Sequence, residues 1–235
     1  MKLVHAGIIS TGLVITIGVS LVAPALIIPH LPQNYPVFLS FEINNSYNLP
    51  SWCQDLSDTI TRFDVKATVF ISGKLAEQHP ECVTLFGDDV EIGSMTYHYV
   101  SLSSSDYLLQ LDEVQQGKQT IDIIGNFDSK SFKAPFSQTD DNIYSLLSRS
   151  GILADFSYED HFNIYENGQF VRYDLVTVDH PSEIPSSEGL MPSRFSFDNS
   201  QSIDVISGII YEIKSYNTQF LTVSDLVANP VLGDY

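Results

Sequence analysis

The chain has 235 residues, 43% of them hydrophobic, with 11 Lys and Arg against 29 Asp and Glu, for a formal charge of −18. With no basic stripe in it, this balance excludes nucleic acid as a partner, because that affinity comes from Lys and Arg neutralising phosphates. The acidity itself names no partner, since it also serves solubility.

Residues 1–29 carry a nearly unbroken apolar run behind Lys2, and Ala6 to Ile28 is long enough to cross a bilayer as a helix. Two expectations stand for it. One is a signal peptide cut after Ala23-Pro24-Ala25; the other is a retained N-terminal membrane anchor, favoured by Leu26-Ile27-Ile28 beyond that site. Both place the remainder outside the cytoplasm, membrane-anchored or secreted. Residues 30–35 read as a linker and 36–235 as one domain, large enough for a single core.

Within the domain, Pro36–Phe41 is the first expected core strand, running into the polar loop Glu42-Ile43-Asn44-Asn45-Ser46-Tyr47. After Pro50, residues Trp52, Leu56, Ile60 and Phe63 recur at helical spacing. Ala67–Ile71 is a second strand, a helical segment follows from Leu75, and Val90–Ile92 is a third strand ending at Gly93. Ser103 to Asp106 offer caps for a long helix with Leu108, Leu111, Val114 or Gln115, Lys118 and Ile121 inward, stopped by Gly125. Ser131–Phe136 is the next strand. Thr139 is the expected cap of a helix burying Ile143, Leu146 and Leu147, and Ile152–Phe156 is a further strand. Ser157–Gly168 reads as irregular, Phe170–Val178 as a strand, and His180–Asn199 as loop. Ile203–Tyr216 is a helix and Gln219–Val223 the last strand. Short apolar strands alternating with amphipathic helices define an α/β fold with a mainly parallel sheet. In such folds, sites form in the loops past the strand ends.

Two stretches resemble a known family. Val65–Lys74 (VKATVFISGK) and Glu91–Leu102 (EIGSMTYHYVSL) are similar to the polysaccharide deacetylases, the NodB-homology carbohydrate esterases. The resemblance implies a distorted (β/α) barrel with fewer than eight regular units over about Pro36–Leu226. It also implies removal of an acetyl group from an N-acetylated sugar by a divalent metal such as zinc and an acidic general base. Ser40-Phe41-Glu42-Ile43-Asn44 falls on the motif T-F-D-D-G, so Glu42 takes the base position and Ile43 that of a metal ligand. In relatives whose second acid comes one place later, Asn44 takes the ligand position. Met95-Thr96-Tyr97-His98-Tyr99 falls on H-[ST]-x-x-H, with Met95 and Tyr99 in place of the two ligand histidines. Lys133-Ala134-Pro135-Phe136 falls on R-x-P-[FY], where the Arg orients the base; Lys133 keeps the charge and loses the bidentate fork. Asp155 fits the fourth motif. His180 is the candidate for the fifth-motif general acid, although the usual spacing falls at Phe195-Ser196-Phe197, which holds no histidine.

The resemblance therefore implies Glu42, Lys133, Asp155 and His180 as family-equivalent catalytic positions, and Thr96, Tyr97, His98, Tyr99, Pro135 and Phe136 as substrate contacts. With Ile43, Met95 and Tyr99 at the ligand positions, neither metal nor other cofactor is expected. Tyr47, Tyr97, Tyr99, Phe136 and Tyr158 are expected to line a sugar groove, since aromatic faces stack on pyranose rings. The expectation is a deacetylase-like domain that acts on or binds N-acetylated glycan or cell-envelope polysaccharide, with weak activity or none. A divergent carbohydrate amide hydrolase and a membrane-tethered protein-interaction domain are the alternatives. The family fold would place the helices carrying Cys53 and Cys82 as neighbours, open to one disulfide or to two buried thiols.

Overall fold

The first strand, β1 (Tyr35–Ile43), is the axis of the molecule, and its alternation sorts its side chains onto two faces. Val37, Leu39, Phe41 and Ile43 point into a layer shared with Trp52, Leu56 and Ile60 of α1 (Ser51–Phe63) and Ile206, Ile210 and Ile213 of α6 (Ile203–Ile213). Phe38 points the other way, into the barrel interior, with Phe70, Met95, Phe156 and Phe162. Glu42 is the last residue of β1 on that inward face. The computed structural model describes residues 34–103, 106–184 and 191–228. The expected membrane segment, residues 30–33 of the linker and the cap positions Ser104 and Ser105 lie outside the described residues.

Around β1 the sheet grows outward in parallel: β2 (Ala67–Ile71), β3 (Val90–Ser94), β4 (Ser131–Phe132) and β5 (Ala154–Asp155) on one side, and β9 (Ser193–Asp198) and β8 (Val176–Thr177) on the other. The short β10 (Thr218–Leu221) pairs with the start of β1, Tyr35 opposite Thr218. Beyond β5, β6 (His161–Glu166) and β7 (Gln169–Asp174) add an antiparallel hairpin. One register row, Ile43–Ile71–Ser94–Phe132–Asp155, marks the C-terminal ends of the parallel strands. The helices α2 (Gly73–Gln78), α3 (Glu81–Thr84), α4 (Tyr107–Gly125) and α5 (Ile143–Arg149) complete the crossovers, and α7 (Val223–Ala228) ends the described chain. This is the expected distorted barrel, nearly closed. Arg194 of β9 is a clasp across the remaining gap. It donates to the carbonyl of Tyr158 at 2.6 Å, beyond β5, and to Thr177 Oγ1 at 3.0 Å. Burial pulls its guanidinium down to about 10.

Several expectations change. Ser157–Gly168 is not irregular: it holds β6, whose Phe162 and Ile164 enter the interior core. The loop expected over His180–Asn199 contains β9, where Phe195 and Phe197 alternate with Arg194, Ser196 and Asp198. That period of two is visible in the sequence, but it is only six residues long and follows Pro192. The strand expected over Phe170–Val178 divides at Leu175 into β7 and β8. β1 begins at Tyr35, inside the expected linker. In α4 the first inward residue is Gln110, not Leu108, which is exposed. Gln110 donates to the Leu102 carbonyl and to Asp140, so a hydrogen-bonded amide takes the place of an apolar contact. Asp106 caps α4 through Leu108 N at 2.9 Å. Thr139 does not cap α5: it bonds Tyr158, while Asp140 receives the Asn142 amide. Cys53 and Cys82 form a disulfide linking α1 to α3, with Cα atoms 5.4 Å apart.

Candidate functional site

The C-terminal strand ends bring Glu42, Asn44, Tyr99, Lys133 and Phe136 together. Lys133, one residue past β4, is set by its own amide donating to the Ser94 carbonyl at 3.0 Å. Its Nζ lies 2.7 Å from Glu42 Oε2, with 12% and 13% of the two side chains exposed. The other carboxylate oxygen, Oε1, accepts the Tyr99 hydroxyl. Burial, and then this bond, push the Tyr99 phenol well above its usual range, while a hydrogen bond with the Asn44 side chain works in the opposite direction. The phenol therefore keeps its proton at neutral pH.

The backbone around this cluster is strained. Tyr99 has φ of +58° and Phe136 of +60°, left-handed values that cost a bulky residue of order 1–3 kcal/mol where the surroundings impose them. The two rings meet edge to face at 5.0 Å, and Phe136 remains 60% exposed beside the buried Pro135. Tyr47, beyond the Asn44-Asn45 turn, is 71% exposed.

The three family ligand positions have distinct environments. Ile43 belongs to the helix-facing layer because it follows the inward Glu42 in the strand alternation. Asn44, one place later, is the residue that reaches Tyr99. Met95 is fully buried in the interior core against the barrel phenylalanines. Among the described residues, no three His, Cys, Asp or Glu side chains converge on one point.

The remaining sequence candidates are dispersed. Thr96 is buried and closes its own turn, exchanging hydrogen bonds with the backbone of Val100 at 2.9 and 3.2 Å. Tyr97 and His98 face the helices: Tyr97 donates to Glu77 at 2.6 Å, and His98 Nδ1 lies 2.7 Å from Glu113. Both lie in the turn that Thr96 closes, and these contacts with α2 and α4 hold them apart from Glu42. Asp155 is fully buried, and its Oδ1 accepts the Ser157 amide at 3.0 Å and the Ser157 hydroxyl. Ser157 Oγ in turn accepts from Ala134 N at 2.8 Å, so Asp155 braces the Lys133–Phe136 segment from beneath, while Lys133 itself pairs with Glu42. His180 is separated from the cluster: its ring lies 4.0 Å from Glu212 in the last turn of α6, which leads to β10 at the start of β1. That is the opposite end of the barrel.

Sequence reasoning missed the β9 residues next to this cluster. Ser196 is in register with Ser40 and Asp198 with Glu42, so both share the face of β1 that carries Glu42, and Asp198 lies directly opposite it. The alternation Arg-Phe-Ser-Phe-Asp was the signal that could have found them. Replacing Tyr99 by Phe removes one donor to Glu42 and leaves the ring in place. This substitution is expected to cost about 2 kcal/mol in urea unfolding, as for a hydrogen bond to a charged group; unchanged stability would contradict the bond.

An α/β barrel with a partly buried carboxylate at the end of its first strand carries its candidate site where such barrels build theirs, at the C-terminal strand ends. The chain belongs to the polysaccharide deacetylase family: the family model described as polysaccharide deacetylase matches residues 32–154, more than half of the chain. No curated protein matches at the sequence level. Among solved structures, a CE4 family pseudoenzyme from Bacillus anthracis is similar with a TM-score of 0.63 at 13% identity, over 84% of this chain and 66% of that one. The peptidoglycan deacetylase PdaC from Bacillus subtilis is similar with a TM-score of 0.60 at 16% identity, over 83% and 91%. A family 4 carbohydrate esterase from Streptomyces lividans, in complex with acetate, gives 0.59 at 16%, over 81% and 93%. At these identities the likeness is one of fold.

Proposed function

We propose that this chain is an extracytoplasmic glycan-binding member of its family, which holds N-acetylated glycan of the cell envelope in the Glu42–Phe136 cleft without a metal and with little or no hydrolysis. The observation that carries this reading is the fate of the ligand positions. Ile43 has no donor atom, the Met95 thioether is enclosed in the core, and the Tyr99 phenol is protonated on Glu42. The Lys133 ammonium, 2.7 Å from Glu42, adds repulsion toward a dication. These residues do not fit zinc, which takes imidazole, carboxylate or thiolate donors, and no step is routed through one.

What the cleft offers instead is recognition. Phe136 presents an exposed face for pyranose stacking. Ser196, in register with Ser40, supplies a hydroxyl, and Asp198, in register with Glu42, supplies its second carboxylate oxygen, the first accepting from Ser200, for sugar hydroxyls and amides. Phe136 and Tyr99 are held in place by backbone geometry, which limits the entropy lost on binding. The Cys53–Cys82 disulfide supports placement in an oxidising compartment, and the apolar segment of residues 1–29 supports tethering to, or export across, a membrane.

Metal analysis of the purified chain and zinc calorimetry are expected to give no stoichiometric binding in the micromolar range. The protein is expected to be retained on chitin or peptidoglycan, and Phe136→Ala to weaken that retention about tenfold. Stoichiometric zinc, or deacetylation of chitin oligomers abolished by Glu42→Gln, would overturn the reading in favour of an active hydrolase.

A further inference from the structure

We propose that the groove between α1 and α6 is a second saccharide-binding stretch, continuing the cleft so that the domain grips oligosaccharides longer than the cleft alone can hold. This deepens the glycan reading and rests on it. The groove has a volume of about 740 Å³, within the range of roughly 300–1,000 Å³ typical of ligand sites. Its walls mix acceptors and donors: the carboxylates of Asp55 and Asp204, the hydroxyls of Ser51, Thr59 and Ser207, and the guanidinium of Arg62. Arg62 donates to Ser207 Oγ at 3.1 Å and, among the described residues, makes no ion pair. A sugar hydroxyl both donates and accepts, so a polyhydroxyl chain can satisfy such walls. An apolar ligand would strip them of water without return. From Ser51 to Arg62, α1 rises about 16 Å, room for several pyranose rings in a row.

Hydrogen bonds link the end of the groove to the Glu42 cluster. Its upper end is formed by Asn48 and Asn199. The buried Asn199 side chain accepts from Asn44 N at 3.1 Å and donates to the Asn45 carbonyl at 2.9 Å. Asn44 in turn meets the Tyr99 phenol that rests on Glu42. One knot of asparagines thus connects the end of the groove to the Tyr99–Glu42 pair. Trp52, the single tryptophan of the chain, lines the groove, and its Nε1 donates to the Gln201 carbonyl at 3.0 Å. Its emission reports occupancy there.

The test titrates the full chain with β-1,4-linked N-acetylglucosamine disaccharide and hexasaccharide, by calorimetry with tryptophan emission recorded in parallel. The hexasaccharide is expected to bind about tenfold tighter than the disaccharide, and to shift Trp52 emission where the disaccharide does not. Ser207→Tyr, which fills the groove, is expected to reduce hexasaccharide affinity to that of the disaccharide and to leave disaccharide binding unchanged. If that variant folds poorly, Arg62→Ala on the exposed rim supplies the same comparison. Equal affinity for both lengths with silent Trp52 overturns the groove and leaves the cleft reading standing. Absence of binding by either sugar overturns the glycan reading and the groove with it.

Discussion

Replacing Lys133 by Met is expected to lower the unfolding free energy by about 3 kcal/mol, the lower end of the cost of removing one partner from a buried ion pair. The ammonium and the Glu42 carboxylate are 2.7 Å apart, and each side chain is more than four-fifths removed from solvent. Screening by water therefore discounts the pair only slightly. With Lys133 gone, the Tyr99 hydroxyl remains as a donor to Glu42, which keeps the loss from reaching the upper end of the range. The double variant Glu42→Gln, Lys133→Met should lose less than the sum of the two single changes, with a coupling of about 1–3 kcal/mol in a double-mutant cycle. Urea unfolding at fixed pH measures all four corners. A loss below about 0.5 kcal/mol for Lys133→Met, typical of a surface position, would show that the pair is solvated and the cleft open to water.

Asp155→Asn should do the reverse at neutral pH and stabilise the protein. Burial pushes the Asp155 carboxyl from its ordinary 3.8 up to about 6, against the hydrogen bonds from Ser157. An acid whose folded pKa is raised holds its proton more tightly in the native state than in the unfolded chain. Its favourable contribution is complete below pH about 4, declines as pH rises through about 6, and is gone above that. The shift corresponds to about 3 kcal/mol. The asparagine cannot ionise, so the variant should lack this decline between pH 4 and 6 and be more stable than the parent at pH 7.5. The gain should fall short of the full amount, because the Asp155 Oδ2 position has no hydrogen-bond partner to receive an amide N–H. Urea unfolding at pH 4.5 and 7.5 for both proteins checks this. A variant more destabilised at pH 7.5 than at pH 4.5 would mean that the native state uses the carboxylate.

Legibility differed from segment to segment. β2 was readable to the residue as Ala67–Ile71, since five consecutive buried β-branched or aromatic-rich positions bounded by Ser72-Gly73 leave little alternative. β6 and β9 were not, because each begins with polar residues and carries part of its core on alternate positions amid prolines and acids. Of the site, Glu42, Lys133, Tyr99 and Phe136 were named from motif positions, and they do lie side by side. His98 was named as part of the second-motif stretch, and His180 as the fifth-motif candidate just past a strand end. Neither criterion contains direction: His98 turns to Glu113 on α4, and His180 sits beside α6 at the other end of the barrel.

By itself the sequence determined the family, the α/β alternation and the chemical character of each motif position, because these depend on local pattern and residue identity. Only the tertiary structure decided that Ile43 belongs to the helix layer, that Asn44 meets the Tyr99 phenol, and that β9 brings Ser196 and Asp198 beside Glu42. Those facts depend on strand register and on which face of a strand is inward. Contacts between residues far apart in the chain, Glu42 with Asp198 among them, set both, and local propensity carries no record of them.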